Sequence, residues 1–163
     1  MAGIDRESLG SWLSGPRAAA EAQGVGLGYP GERLGLPAQG PGSVSGWGRR
    51  FAALFLDWFV ALGITRLLFP SVETSTFGYS FVVLAVFAAH TAILGALLHA
   101  SFGQRITGLR LIPVAADEPS QLHPARIVAR ALLVALVLPA VLYDRDRRGL
   151  PDHVAQTVLV NVR

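Results

Sequence analysis

The stretch FAALFLDWFVALGITRLLF, Phe51–Phe69, decides the fold class. At 1.5 Å rise per residue it makes about 28 Å of helix, close to the roughly 30 Å hydrocarbon core of a bilayer. Pro70 ends it, because proline has no amide hydrogen to continue the helix. A second run, Tyr79–Ala100 (YSFVVLAVFAAHTAILGALLHA), has 22 residues and no formal charge. Both are expected to span a membrane, joined by a short connection that carries only Glu73.

The whole chain agrees with that reading. Of its 163 residues, 52% are apolar and 15% charged, and the mean hydropathy is +0.45. A soluble domain carries about 25% charged residues, so this surface is built to face lipid. All 14 basic residues are arginine, and the net charge of +3 is too small and too scattered for a nucleic-acid footprint. Cysteine is absent, which excludes disulfides, thiolate metal sites and a cysteine nucleophile.

A third apolar stretch is shorter. Arg126 and Arg130 precede Ala131–Tyr143, ALLVALVLPAVLY, which has Pro139 inside it. As a helix it covers about 20 Å, less than a bilayer core. The segment 126–143 is either a short span with snorkelled arginines or a re-entrant turn at Leu138–Pro139. Arginine placement favours the second. Arg49 and Arg50 precede the first helix, and Arg105 and Arg110 follow the second, with no basic residue in the loop between. The positive-inside rule puts the N-terminus and the 101–125 loop in the cytoplasm. A third segment that does not cross keeps Arg145, Arg147 and Arg148 of the 144–163 segment on that side too. Two β-branched stretches, Arg105–Val114 and Gln156–Val162, are expected to pair as strands there, since unpaired backbone donors are costly.

Residues 1–48 hold 12 of the 18 glycines and show no apolar period. They are expected to form a flexible tail, whose Trp12 and Leu13 offer at most a weak surface anchor. No apolar signal-peptide core is seen near the start.

Three motifs resemble those of the RDD family of small bacterial membrane proteins, over about residues 49–162. They are RRFAALFLDWF at the first helix, SFGQRITGLRLI after the second, and DRDRRGLPDHVAQTVLV near the end, where Pro151 stands in place of a more usual histidine. The resemblance implies that Arg50, Asp57 and Asp152 are the family's signature arginine and two aspartates. It also implies a multi-pass protein of the bacterial plasma membrane. A few members of that family are linked to cation/proton exchange.

Asp57 is the sharpest residue. It lies about 9 Å into the first helix, and an intramembrane carboxylate needs a named partner. Arg50 is two turns earlier on the same face, some 10 Å away along the axis. Two readings stand side by side. In one, Arg50, Asp57 and Asp152 form a polar clamp that fixes helix packing. In the other, Asp57 is an ion or proton relay, with His90 or His99 as a second titratable group. Gly95 is placed to allow close helix approach. Arg66 is expected to snorkel toward the opposite headgroups. Arg105, Arg110, Arg126 and Arg130 form a basic set suited to anionic lipid.

No metal site, cofactor fingerprint or catalytic signature is present in the sequence. The expectation is an all-α integral membrane protein with two full spans, a third short membrane-embedded segment and a small cytoplasmic β pairing. It is not expected to be an enzyme. It is expected to work in the lipid bilayer as a homo-oligomer or within a larger membrane complex.

Overall fold

The computed structural model describes residues 28–73, 77–114, 123–136 and 144–163. Helix α1 runs Trp47–Leu68 and helix α2 runs Phe77–Leu98, each 22 residues. That is about 33 Å apiece, enough to cross a bilayer core. Both start earlier than the apolar runs alone suggest: α1 by one turn, through Trp47, Gly48, Arg49 and Arg50, and α2 at Phe77. A helix does not stop where its hydrophobic stretch stops, and a charged first turn sits well at a water interface.

The faces of α1 explain why these helices belong in lipid. Its buried residues are Ala53, Asp57, Ala61 and Thr65, one stripe at four-residue spacing. Large side chains point outward: Phe55 is 64% exposed, Phe59 65% and Leu67 79%. On α2, Val83, Phe87, Ala88, Ala92 and Gly95 are buried, while Phe77 and Phe81 are exposed. An apolar surface this extensive is stable only against hydrocarbon or another apolar partner.

Shorter elements pack against one end and the flank of the two long helices. A short helix α3, Phe102–Ile106, follows α2 directly and leads into strand β1, Leu109–Pro113. Helix α4 spans Pro124–Ala135, a short helix α5 spans Leu150–Ala155, and strand β2 spans Thr157–Asn161. The two strands pair antiparallel, with Leu111 opposite Leu159, as expected of the two β-branched stretches. The pairing sits at the end of the spans where α1 begins and α2 finishes. Ala53, Leu109, Leu111, Ile127 and Leu159 form the core that joins strands to helices. A second core, Ala61, Val83, Phe87, Ala88 and Ala135, lies between the spans and α4.

The expected tail ends sooner than the composition suggests. Residues 1–27, with Trp12 and Leu13, lie outside the described residues, but 28–48 make specific contacts. Glu32–Leu34 form a 3-10 turn. Val44 bridges antiparallel to Val160 on the free edge of β2, and Ser45 N–H donates to Leu159 O at 2.9 Å. Val44, Val158 and Val160 share a small apolar core. Side-chain periodicity missed this because the attachment is made largely by main-chain hydrogen bonds. Of the third apolar stretch, α4 is described, while Leu138, Pro139 and the rest of 137–143 lie outside the described residues. Within α4, Ile127, Ala131 and Ala135 are buried in one stripe.

Two glycines set the closest approaches. A Cβ at Gly103 would lie 2.1 Å from the main-chain oxygen of Ala53, so α3 presses backbone against backbone onto α1. A Cβ at Gly95 would meet Ile127 at 3.0 Å, which makes α4 the partner of that glycine. Gly63, on the open face of α1, has nothing within 4 Å. Gly103→Ala should therefore lose about 1–3 kcal/mol to overpacking, seen as a lower Tm in detergent. Gly63→Ala should leave the Tm unchanged or raise it.

Candidate functional site

Asp57 is 4% exposed, inside an apolar span, and its carboxylate is held by neutral donors. Ser101 Oγ donates a short hydrogen bond to Oδ2, and Gly103 N–H donates to Oδ1 at 2.8 Å. Ser101 is also the N-cap of α3: its hydroxyl accepts from Gln104 N–H, and Gln104 Oε1 accepts from Ser101 N–H at 2.9 Å. That reciprocal capping box fixes the first turn of α3 and so aims both donors at Asp57. Ser101 is not among the residues singled out from the sequence, although Ser-Phe-Gly-Gln carries the capping-box spacing that could have found it.

His90 approaches the same carboxylate from α2. Its Nε2 is 3.6 Å from Asp57 Oδ1, and its Nδ1 lies 3.1 Å from Val86 O. A carbonyl accepts only, so Nδ1 carries the hydrogen. Nε2 then faces the carboxylate with either a lone pair or a second proton, and the contact is attractive only in the second state. His99 does not join this group. It sits in the left-handed region, φ 58°, just past α2, and its carbonyl accepts from Leu111 N–H at 2.8 Å.

Asp152 is the second buried carboxylate, at 3% exposure. It is compensated by cations. Arg50 Nη1 donates to Oδ2 at 3.1 Å and Arg130 Nε to Oδ1 at 2.9 Å. Gly149 N–H adds a weaker contact at 3.4 Å. Arg50 also donates to Ser45 Oγ at 2.7 Å and to Leu159 O at 3.4 Å. One guanidinium thus ties α1, the segment before it, β2 and α5 together. Burial by itself would raise the Asp152 pKa, but Arg130 and Arg50, with their hydrogen bonds, hold it below the usual carboxylate range.

Arg50, Asp57, Arg130 and Asp152 all line one cavity of about 110 Å3, together with Ser101 and Gly95. The cavity has room for a few waters between the two carboxylates. The signature residues thus reach a common space, each carboxylate with its own set of donors.

The four arginines expected to face lipid divide into two pairs. Arg130 is taken by Asp152, and Arg126 hydrogen-bonds Gln156. Arg105 and Arg110 remain at the exposed surface. The Asp/Arg run at 144–149 is a charge-balanced turn: Asp144 accepts from Arg148 N–H and meets His153 Nε2, both at 2.8 Å. Asp146 holds Gly31 N–H at 3.1 Å and Arg33 at 2.8 Å, which anchors the segment before α1. Among the described residues, no group of three or more metal-ligating side chains converges.

Two apolar helices long enough to cross a bilayer, capped at one end by an Arg/Asp network, are the architecture of a small membrane protein. The RDD family model matches residues 44–156, more than half of the chain, and the protein belongs to that family. It is 25% identical over 134 residues to the uncharacterized membrane protein YteJ of Bacillus subtilis (strain 168), covering 72% of this chain and 80% of that one. No solved structure matches it.

The direction of the Asp152 shift gives a pH signature. A carboxylate whose folded pKa is lowered contributes stability that is complete above its unfolded value, near 4, and is lost as pH falls through the folded value. Asp152→Asn should strand two largely buried guanidinium groups and cost about 3–5 kcal/mol at neutral pH. The Tm gap between wild type and variant in detergent should hold constant from pH 8 to 5 and close only below about pH 4.

Proposed function

We propose that the protein is a non-enzymatic component of a bacterial plasma-membrane assembly, self-associated or packed against a larger membrane partner, with the Arg/Asp network acting as a packing clamp. One observation carries this reading: every oxygen of the two buried carboxylates already accepts a hydrogen bond from within the chain. Asp152 is held by two arginines and Asp57 by a hydroxyl and an amide. Groups so engaged fix geometry; a general acid or base needs a face open to substrate. The apolar faces of α1 and α2, with Phe55, Phe59 and Phe81, supply surface for lipid or a partner helix. The basic surface near Arg105 and Arg110 suits an anionic leaflet, so the arginine-rich end and the N-terminus face the cytoplasm. Pairing of β1 with β2 supports a third segment that enters the membrane and returns to the same side.

Affinity purification in mild detergent tests the assembly. A stoichiometric partner or a defined homo-oligomer is expected, and a monomer that always elutes alone contradicts it. A cysteine introduced at Arg163 should be labelled only after permeabilisation.

A second reading, oligomeric cation/proton exchange through Asp57, is favoured by the His90 contact at 3.6 Å and by the cavity beside it. Two spans cannot enclose an aqueous path, so exchange requires several copies. In proteoliposomes with an internal pH dye, imposed Na⁺ or K⁺ gradients should then move the signal, and Asp57→Asn should abolish the response. Flat traces from folded, oriented protein would remove this reading.

A further inference from the structure

Three arginines not spent on internal carboxylates gather where α2 ends and β1 begins. There Arg105, Arg110 and Arg163 surround a concave space of about 500 Å3, with His99 at its edge and Leu97 and Leu98 forming one wall. Among the described residues, no aspartate or glutamate lines it. The main-chain oxygen of Arg163 is taken by Arg49 Nη1 at 2.7 Å. Two of the three guanidinium groups have contacts within the chain. Arg163 Nη2 donates to Ile106 O at 3.1 Å, and its aliphatic stem lies about 3 Å from where a Cβ on Gly108 would be. Arg110 Nη2 is 3.4 Å from His99 Nδ1, a contact that leaves the rest of its donor fork available. Leu97 is 72% exposed and belongs to the last turn of a helix long enough to cross a bilayer.

Guanidinium forks match phosphate oxygens in geometry and charge. The exposed leucines supply what a free phosphate does not need, an apolar wall for acyl chains. We propose that this space is a seat for the phosphate of an anionic phospholipid, with Arg105, Arg110 and Arg163 binding the headgroup and Leu97 and Leu98 contacting its chains. The proposal rests on the protein's being embedded in a bilayer and narrows the anionic-lipid surface to three arginines. Arg163 is new to the set, and Arg126 and Arg130 leave it.

Native mass spectrometry of the full chain in detergent tests it, with dioleoyl phosphatidylglycerol, dioleoyl phosphatidylcholine and inorganic phosphate as separate probes. Phosphatidylglycerol adducts should be retained at least about tenfold better than phosphatidylcholine adducts. Each arginine near an anionic lipid is worth about fivefold, so Arg105→Gln, Arg110→Gln and Arg163→Gln together should remove that preference. The corresponding triple lysine variant should keep most of it, which separates loss of charge from misfolding. Arg66→Gln, at the other end of α1, should change nothing. Equal retention of the two lipids, an unaffected triple glutamine variant, or inorganic phosphate held as strongly as the phospholipid would each overturn the proposal. Co-flotation with vesicles of pure phosphatidylcholine reads bilayer association separately, so its failure is distinguishable from loss of headgroup selection.

Discussion

A carboxylate inside an apolar helix is tolerable only if its charge is met on the spot. Asp57 meets that demand with the hydroxyl of Ser101 and the amide of Gly103. Much of the remaining layout follows from that contact. To deliver both donors, α3 must lie against α1 at a distance only glycine permits. The turn after α3 then leads into β1, and β1 recruits β2 by pairing. Helix α5, which immediately precedes β2, carries Asp152 to Arg50, seven residues before Asp57 on the same helix. The chain closes on itself at the end of the spans, and the loop of dependencies begins and ends on α1.

The two buried carboxylates are treated differently because of where they sit. Asp152 lies nearer the end of the spans, where Arg50 extends from the first turn of α1 and Arg130 from the second turn of α4. A cation costs little there because its other donors reach backbone oxygens and hydroxyls. Asp57 sits two turns deeper in the span. Compensation by a second full charge would mean burying that charge too, at several kcal/mol, whereas a hydroxyl and an amide add no charge to desolvate. The imidazole of His90 lies between these solutions, since it brings charge only when protonated.

The spans were legible because an uncharged apolar run of bilayer length is uncommon away from lipid. The strand pairing was legible because two short β-branched stretches needed partners. Asp57 stood out as an ionisable residue among phenylalanines, and Asp152 through its motif. What connects them was harder to read. The expectation of cationic help for Asp57 came from the spacing to Arg50, but Arg50 carries Asp152, and the partners of Asp57 come from 44 and 46 residues away. No spacing rule reaches across that interval. The role of Gly103 shows only when α1 and α3 are laid together. The attachment of Val44 and Ser45 was hidden for another reason: backbone hydrogen bonds leave little trace in side-chain pattern.

The contact between Asp57 and Ser101 is tested most directly by a double-mutant cycle on Asp57→Asn and Ser101→Ala, read by unfolding in detergent. If the serine hydroxyl is what makes the buried carboxylate tolerable, the two losses are strongly coupled. The double variant should then differ from the sum of the singles by about 1–3 kcal/mol. Losses that add to within about 0.5 kcal/mol would mean that the two side chains act independently, and would contradict the contact on which the rest of the structure depends.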